Sequence, residues 1–185
     1  SADTNTNVSV TINNNSPSVD KLGDNAAMDW EQGIIEATGY GALYFVNGML
    51  LTHHIDIQGK TLVLSGFGNV AWGAAKKATE LGAKVLTISG PDGYIYDPAG
   101  ISGEKIDYML ELRGSGEDIC KPYADEFAGS TFFEGRKPWE QKADIYLTCA
   151  TQNELNGEDA EIILSYKPLC VAEVSNMGCT AEAVN

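Results

Sequence analysis

The clearest pattern of apolar and polar residues lies between residues 60 and 89. Residues 61–65 and 84–89 are short apolar runs, and residues 69–81 between them have helical spacing. Gly82 follows this helical stretch, as glycine often does at a helix end. The pattern predicts a strand–helix–strand unit. Because both runs are apolar throughout, we expect a parallel sheet covered on both faces, with a right-handed crossover.

The alternation of helical and apolar segments continues along the rest of the chain. In residues 36–51, Leu43, Val46, Leu50 and Leu51 are predicted to share one face of a helix. The other predicted elements are a turn-rich loop over 90–100, helices over 102–113, 122–127 and 156–165 (the last capped by Asn156), strands over 143–149 and 169–174, and a helix beginning at Thr180.

Residues 1–33 differ from the remainder and are interpreted as a polar N-terminal extension of unknown role. Residues 5–18 are rich in Asn, Ser and Thr. Val8, Val10 and Ile12 alternate with polar residues, which is compatible with a short edge strand or with an unstructured tail. We therefore predict a domain boundary between residues 33 and 34.

The charge of the chain argues against two classes of partner. Twelve Lys and Arg stand against 26 Asp and Glu, a formal net charge of −14. This charge repels phosphate backbones and anionic lipid surfaces, so we expect neither nucleic acid nor a membrane as partner. No apolar run reaches the roughly 18 residues of a transmembrane helix, and a cytoplasmic protein is expected.

The cysteines and histidines do not form a metal-binding pattern. The four cysteines have no CxxC spacing, and the two histidines are the adjacent pair His53 and His54. We expect no metal site, four free thiols in a reducing compartment, and histidines that face solvent at a helix end.

A glycine fingerprint lies between the first apolar run and the helix. Gly66, Gly68 and Ala71 have the spacing G-x-G-x-x-A. Gly66 permits a tight turn, Gly68 lets a diphosphate approach the backbone, and Ala71 lets the helix pack closely on the sheet. The phosphates would then bind at the helix N-terminus. Within a strand–helix–strand unit, this fingerprint predicts a Rossmann-type α/β fold, with a doubly wound, mostly parallel sheet and helices on both faces.

The end of the next strand bears on the choice of dinucleotide. An acidic side chain there usually binds the ribose hydroxyls; here Gly90 occupies the expected position and Asp92 follows two residues later. No Lys or Arg lies between Gly90 and Gly103 to receive a 2′-phosphate. These features favour NAD over NADP. An ordinary turn over residues 91–93 is the alternative interpretation.

Six motifs in order give the sequence a resemblance to a known family. They are EATGYG (36–41), SGFGNVAWGAAKK (65–77), GPDGYIYDP (90–98), KPW (137–139), CATQN (149–153) and EVSNM (173–177). Together they resemble the nucleotide-binding domain of hexameric bacterial glutamate dehydrogenases, the NAD-linked clostridial type in particular. The resemblance extends from Glu36 to Ala183 and implies a domain over residues 34–185 that binds NAD(H).

The resemblance implies roles at the nicotinamide end of the coenzyme. Thr38 resembles a threonine near the carboxamide, and Asn176 resembles an asparagine close to nicotinamide and substrate. Ala150, Thr151 and Gln152 resemble the loop beside the ribose. Structural roles remain open, since Thr38 is also suited to capping a helix and Asn176 to forming a turn.

The resemblance also implies roles at the adenosine end. Phe67, Pro91 and Asp92 resemble residues that shape the adenosine pocket and exclude a 2′-phosphate. Asn69 resembles the asparagine that opens the dinucleotide-binding helix, and Val70 follows it in the first turn.

Other features of the family have no counterpart in this sequence. The family carries a second domain with the catalytic lysine, a catalytic aspartate and the lysines that bind the substrate carboxylates. We find no matching segment, and we therefore predict no catalytic residue here and no significant glutamate turnover by this chain alone. The family's NMPTT segment reads NMGCT at residues 176–180, so the geometry of this loop is expected to differ.

Three interpretations remain open. The chain is expected to be the coenzyme domain of a glutamate dehydrogenase. The substrates glutamate and 2-oxoglutarate would bind only with the missing domain, and the full-length enzyme could be a homo-oligomer. The alternatives are the coenzyme domain of a related leucine, phenylalanine or valine dehydrogenase, and a non-catalytic NAD-binding or interaction module.

Overall fold

The computed structural model describes residues 24–116 and 119–184, and the side chains among them from residue 37 onward. The strands are β1 (Thr61–Leu64), β2 (Lys84–Val85), β3 (Thr87–Gly90), β4 (Gly93–Tyr96), β5 (Thr131–Glu134), β6 (Ile145–Thr148) and β7 (Cys170–Glu173). The helices are α1 (Asp24–Thr52), α2 (Asn69–Glu80), α3 (Glu104–Gly114), α4 (Lys121–Glu126), α5 (Gly157–Ser165) and α6 (Ala181–Val184). The residues around Val10, for which an edge strand and an unstructured tail were both considered, lie outside the described residues.

Four of these strands form a parallel sheet in the order β2-β1-β6-β7. Leu62 lies beside Ile145, and Leu64 lies beside Leu147, in the parallel register of β1 and β6. β1 and β2 are joined through α2, as expected for the strand–helix–strand unit. The predicted parallel sheet is therefore confirmed.

Successive residues of the central strand contribute to two different hydrophobic clusters. Leu62 and Leu64 pack in a cluster with buried residues of α1 and α2, whereas Val63 packs in a second cluster with Ile163 of α5. Because side chains alternate across a strand, both faces of the sheet are covered by helices. This two-sided core confirms the α/β fold that the sequence predicts.

The predictions for residues 84–100 were wrong in two respects. The run at 84–89 is divided at Leu86 between β2 and β3, and the expected loop at 90–100 contains β4. β3, β4 and β5 form a separate antiparallel sheet, with Gly90 paired to Gly93 across the Pro91–Asp92 turn. The glycines and prolines of this segment suggested a loop, but the chain uses them to form a tight hairpin.

The first helix is longer than predicted and uses a narrower apolar face. α1 begins at Asp24 rather than near residue 36. Leu43, Val46 and Leu50 are buried, but Leu51 is 55% exposed, so its predicted place on the buried face was wrong. Adjacent residues point about 100° apart around a helix, and Leu50 takes the inward position.

The elements predicted near the C-terminal end of the sequence are present. Asn156 caps α5, where its side chain accepts a hydrogen bond from the Asp159 amide at 2.9 Å and the Asp159 carboxylate accepts one from the Asn156 amide at 3.1 Å. This capping box explains why the helix begins at Gly157.

Candidate functional site

A crevice of about 420 Å³ lies at the carboxyl ends of the parallel strands β1 and β6, where open α/β sheets bind ligands. Its lining combines the glycine turn, the end of β3 and two loops farther along the chain. The lining residues are Gly66, Phe67, Gly68, Ser89, Gly90, Pro91, Arg113, Arg136, Lys137, Pro138, Cys149, Ala150, Thr151 and Glu154.

Gly66 is required by the protein itself. Its φ is +100°, a conformation that L side chains rarely adopt, and a β-carbon there would lie 2.9 Å from the Cys149 carbonyl oxygen. The Gly66 amide donates to the Ser89 hydroxyl at 2.8 Å. The glycine thus brings the ends of β1, β3 and β6 together.

Gly68 is different, because nothing in the protein occupies the space beside it. Its φ is −91°, and a β-carbon built there would meet no atom within 4 Å. It is also the N-cap of α2, and its position provides no side chain to cap the first amides of that helix. The open space beside these amides suits the diphosphate of a dinucleotide, which binds to helix N-termini of this kind.

The Phe67 backbone between the two glycines is held in place by two donors. The Trp72 indole donates to the Phe67 carbonyl oxygen at 2.9 Å, and the Arg113 guanidinium donates to the same oxygen. The Arg113 guanidinium carbon also lies 5.9 Å from the centre of the Phe67 ring. These contacts fix the turn and place a cation at the crevice.

Asp92 is hydrogen-bonded within the protein rather than placed in the crevice lining. Its carboxylate accepts hydrogen bonds from the backbone amides of Cys120 at 2.9 Å and Lys121 at 3.0 Å. These amides lie at the start of α4, so the carboxylate acts there as a cap. Its predicted effect on a 2′-phosphate stays a prediction, whereas the turn that was the alternative interpretation is present between β3 and β4.

The predicted site residues fall into two groups. Gly66, Phe67, Gly68, Pro91, Ala150 and Thr151 line the crevice, and Asn69 and Val70 follow in the first turn of α2. Thr38, Asp92, Gln152 and Asn176 are not among the lining residues.

Thr38 nevertheless lies in a helix that approaches the start of α2. A β-carbon on its neighbour Gly39 would lie 2.3 Å from the Val70 carbonyl oxygen. Gln152 and Asn176 are exposed in the turns that follow β6 and β7. Their predicted contacts with a coenzyme remain predictions.

Sequence reasoning missed the charged part of the crevice. Arg113, Arg136 and Lys137 line it from α3 and from the loop after β5, outside the segment between Gly90 and Gly103 that has no Lys or Arg. Glu154 was missed as well, although it directly follows the CATQN motif. Lys137 begins the KPW motif, but no local pattern marks Arg113, Arg136 or Glu154, because the fold brings them together from distant segments.

Glu154 is a buried acid at this site. Its side chain accepts a hydrogen bond from the Ala150 amide at 3.1 Å, and its backbone carbonyl accepts one from the Lys137 ammonium group. Burial raises the pKa of the Glu154 carboxyl group, although hydrogen bonds from Ser65 and Ala150 and the charge of Lys137 oppose this shift.

Cys149 and Cys170 do not have the properties of nucleophiles. All four cysteines are free thiols, as predicted. Burial raises the pKa of Cys149, and it raises the pKa of Cys170 to about 11, so both remain protonated near neutral pH. Among the residues that the structure describes, no cluster of three or more His, Cys, Asp or Glu is arranged to hold a metal ion. Within the same residues, no helix has the length and apolar character needed to cross a bilayer.

A family model places the chain among known proteins. The model for the Glutamate/Leucine/Phenylalanine/Valine dehydrogenases matches residues 32–185. This chain belongs to that family. The match includes the whole crevice, and glutamate dehydrogenases among the relatives confirm the resemblance to that enzyme.

Individual relatives support the same assignment. The NAD-specific glutamate dehydrogenase of Bacteroides fragilis (strain YCH46) is 75% identical over 150 residues, which cover 81% of this chain and 34% of that protein. The NAD-specific glutamate dehydrogenase of Clostridium symbiosum is 55% identical over 150 residues, covering 80% of this chain and 33% of that protein. A solved glutamate dehydrogenase structure matches with a TM-score of 0.77 and 54% identity, covering 81% of this chain and 35% of that one. The chain thus spans about a third of the length of these relatives.

The NMGCT segment, for which the resemblance implies a proline at residue 178, packs tightly. Gly178 is buried, and a β-carbon there would lie 2.0 Å from the Thr148 hydroxyl oxygen. The preceding Met177 has a φ of +51°, whereas a residue before proline favours an extended conformation. This loop conformation therefore has no room for a proline at residue 178, where the resemblance implies one.

Proposed function

We propose that residues 34–185 form the NAD(H)-binding domain of a glutamate dehydrogenase-like oxidoreductase. The observation that carries this proposal is the placement of Gly68. It leaves open space at the amino end of α2, inside a crevice that also contains Arg113 and Lys137. Backbone amides and cationic side chains around an open space are suited to a diphosphate.

NAD rather than NADP is the coenzyme we propose. The two relatives described above are named NAD-specific. Asp92 supports the same choice, because a carboxylate near the adenosine ribose would repel a 2′-phosphate.

In the full-length enzyme, the reaction would be oxidative deamination of L-glutamate to 2-oxoglutarate and ammonia. The bound nicotinamide would accept the hydride from the substrate. The residues of this chain would bind the coenzyme, orient it along the glycine turn and exclude water from the diphosphate. The base and the lysine that the reaction needs would come from elsewhere in the protein, so the 185-residue chain would bind coenzyme without significant glutamate turnover.

Coenzyme titrations test the proposal. The purified chain should increase and shift the fluorescence of NADH at lower concentrations than are needed for NADPH. Glutamate and NAD⁺ added together should give no appreciable NADH. Failure to bind either dinucleotide would contradict a coenzyme-binding role, and tight binding of NADPH alone would reverse the proposed preference.

A further inference from the structure

Among the residues that line the crevice, Glu154 is the one with an acidic side chain. It is only 7% exposed and lies on the loop that follows β6. A buried carboxylate beside a site for an anionic ligand has an electrostatic cost, and this cost calls for a physical explanation.

The contacts of this carboxylate connect two strand ends. The Glu154 side chain accepts the hydrogen bond from the Ala150 amide at 3.1 Å and also bonds the Ser65 hydroxyl group. The Ser65 oxygen in turn accepts the Cys149 amide at 3.0 Å. Ser65 directly precedes Gly66, and Ala150 directly follows β6. Glu154 therefore holds the two walls of the crevice together.

Charged and titratable groups from several segments surround Glu154. Lys137 is the nearby cation, and the thiols of Cys149 and Cys179 also interact with the carboxylate. The pKa of Cys149 is raised by burial, and burial and nearby Glu173 raise that of Cys179 to about 11, so these thiols carry no charge near neutral pH. Arg113 and Arg136 line the same crevice.

We propose, on the basis of the proposed function, that Glu154 is a positioning residue that holds the ends of β1 and β6 together, and that its negative charge opposes binding of the coenzyme diphosphate. The pKa of its carboxyl group is raised by burial, so the charge disappears as the pH falls through that value while the diphosphate stays anionic. Coenzyme then binds more tightly to the protonated form, and binding is accompanied by proton uptake.

The test uses the full 185-residue chain with ADP-ribose, which carries the diphosphate and is stable in acid. Calorimetric titrations run from about pH 4.3, the usual pKa of a glutamate carboxyl group, to about pH 8.5. We expect affinity to rise roughly three- to tenfold towards acid pH in the unaltered chain. Glu154→Gln keeps an acceptor for the Ala150 amide but has no charge, so it should bind tightly at every pH. Glu161→Gln, an exposed change on α5, should follow the unaltered chain.

Two further measurements separate positioning from charge and do not depend on catalysis. Titrations of the unaltered chain in buffers of different ionisation enthalpy should reveal the proton uptake. Amide hydrogen exchange at Ala150 and Thr151 should accelerate in Glu154→Ala but not in Glu154→Gln, because only the alanine variant loses the acceptor.

The outcomes distinguish this inference from the proposed function. Binding without proton uptake, or a pH dependence that persists in Glu154→Gln, overturns the role of Glu154 and leaves the coenzyme domain standing. If the glutamine variant does not fold, proton uptake by the unaltered chain decides. If the unaltered chain binds none of ADP-ribose, NADH and NADPH at any pH, both proposals are wrong.

Discussion

Gly39 of α1 packs so closely on Val70 of α2 that a methyl group at residue 39 would lie 2.3 Å from the Val70 carbonyl oxygen. Real β-carbons do not approach backbone this closely, and Gly39 therefore fixes how α1 crosses the helix that opens the crevice. Gly48 of the same helix is exposed, and a methyl group there would meet nothing within 4 Å.

This contact predicts opposite effects for two identical substitutions in α1. Gly39→Ala should lower the free energy of unfolding by about 1–3 kcal/mol, because the added methyl group forces the helices apart. Gly48→Ala should raise it by up to about 1 kcal/mol, because alanine favours the helix and no clash arises. Urea denaturation of both variants measures the difference. Equal effects of the two changes would contradict the close approach of α1 and α2.

Gly66 and Gly68 should respond differently to the same substitution. Gly66→Ala should destabilise the fold by roughly 1–3 kcal/mol, because its φ is +100° and the methyl group meets the Cys149 carbonyl. Gly68→Ala should leave the unfolding transition nearly unchanged but weaken NADH binding about tenfold or more, because the methyl group enters the space meant for the diphosphate. Denaturation and NADH fluorescence are measured on both variants. Unimpaired binding by Gly68→Ala would place the diphosphate elsewhere.

The two roles of Asp92 can be separated by a pair of substitutions. Asparagine caps helices about as well as aspartate, so Asp92→Asn should preserve stability, whereas Asp92→Ala should cost about 1 kcal/mol. Both remove the negative charge and should raise NADPH affinity relative to NADH. Coenzyme titrations of the two variants test this. An unchanged ratio in Asp92→Asn would leave Asp92 with its capping role alone.

The buried Asp97 predicts how stability depends on pH. Burial alone would raise the pKa of Asp97, but hydrogen bonds from Lys105 at 2.6 Å, Tyr123 at 2.6 Å and the Ala99 amide outweigh it and lower the pKa below its usual value. A lowered pKa in the folded state gives stability that is present above the unfolded pKa of about 3.9 and is lost as the pH falls through the folded value.

We therefore expect Asp97→Asn to lose roughly 2–4 kcal/mol near neutral pH and to show a smaller loss of stability in acid than the unaltered chain. Denaturation curves measured from neutral pH down to about pH 3 provide the comparison. Identical acid dependence of the two proteins would show that other carboxyl groups control unfolding in acid.

The local part of the site could be predicted from the sequence, because Gly66, Gly68 and Ala71 act within one turn and the helix that follows it. The hairpin of β3 and β4 could not be predicted in this way. β4 is the middle strand of a three-stranded sheet, and its pairing with β5 stabilises it, as in the register of Tyr94 with Phe133. Short-range patterns of glycine and proline cannot distinguish such a strand from a loop.

The same reason explains which functional residues were missed. Arg113 and Glu154 have no unusual sequence context, and they acquire their roles only when α3 and the loop after β6 meet the glycine turn. The exposed position of Leu51 was also decided by packing, since the spacing alone allowed it on the buried face.

The crevice joins parts of the chain that are synthesised far apart. Ser65 and Cys149, which share a hydrogen bond across it, are separated by 84 positions. A nascent chain leaving the ribosome therefore carries the glycine turn long before β6 emerges to complete the opposite wall. A small molecule held in this crevice therefore stabilises only chains long enough to include β6, and its binding distinguishes them from shorter nascent chains.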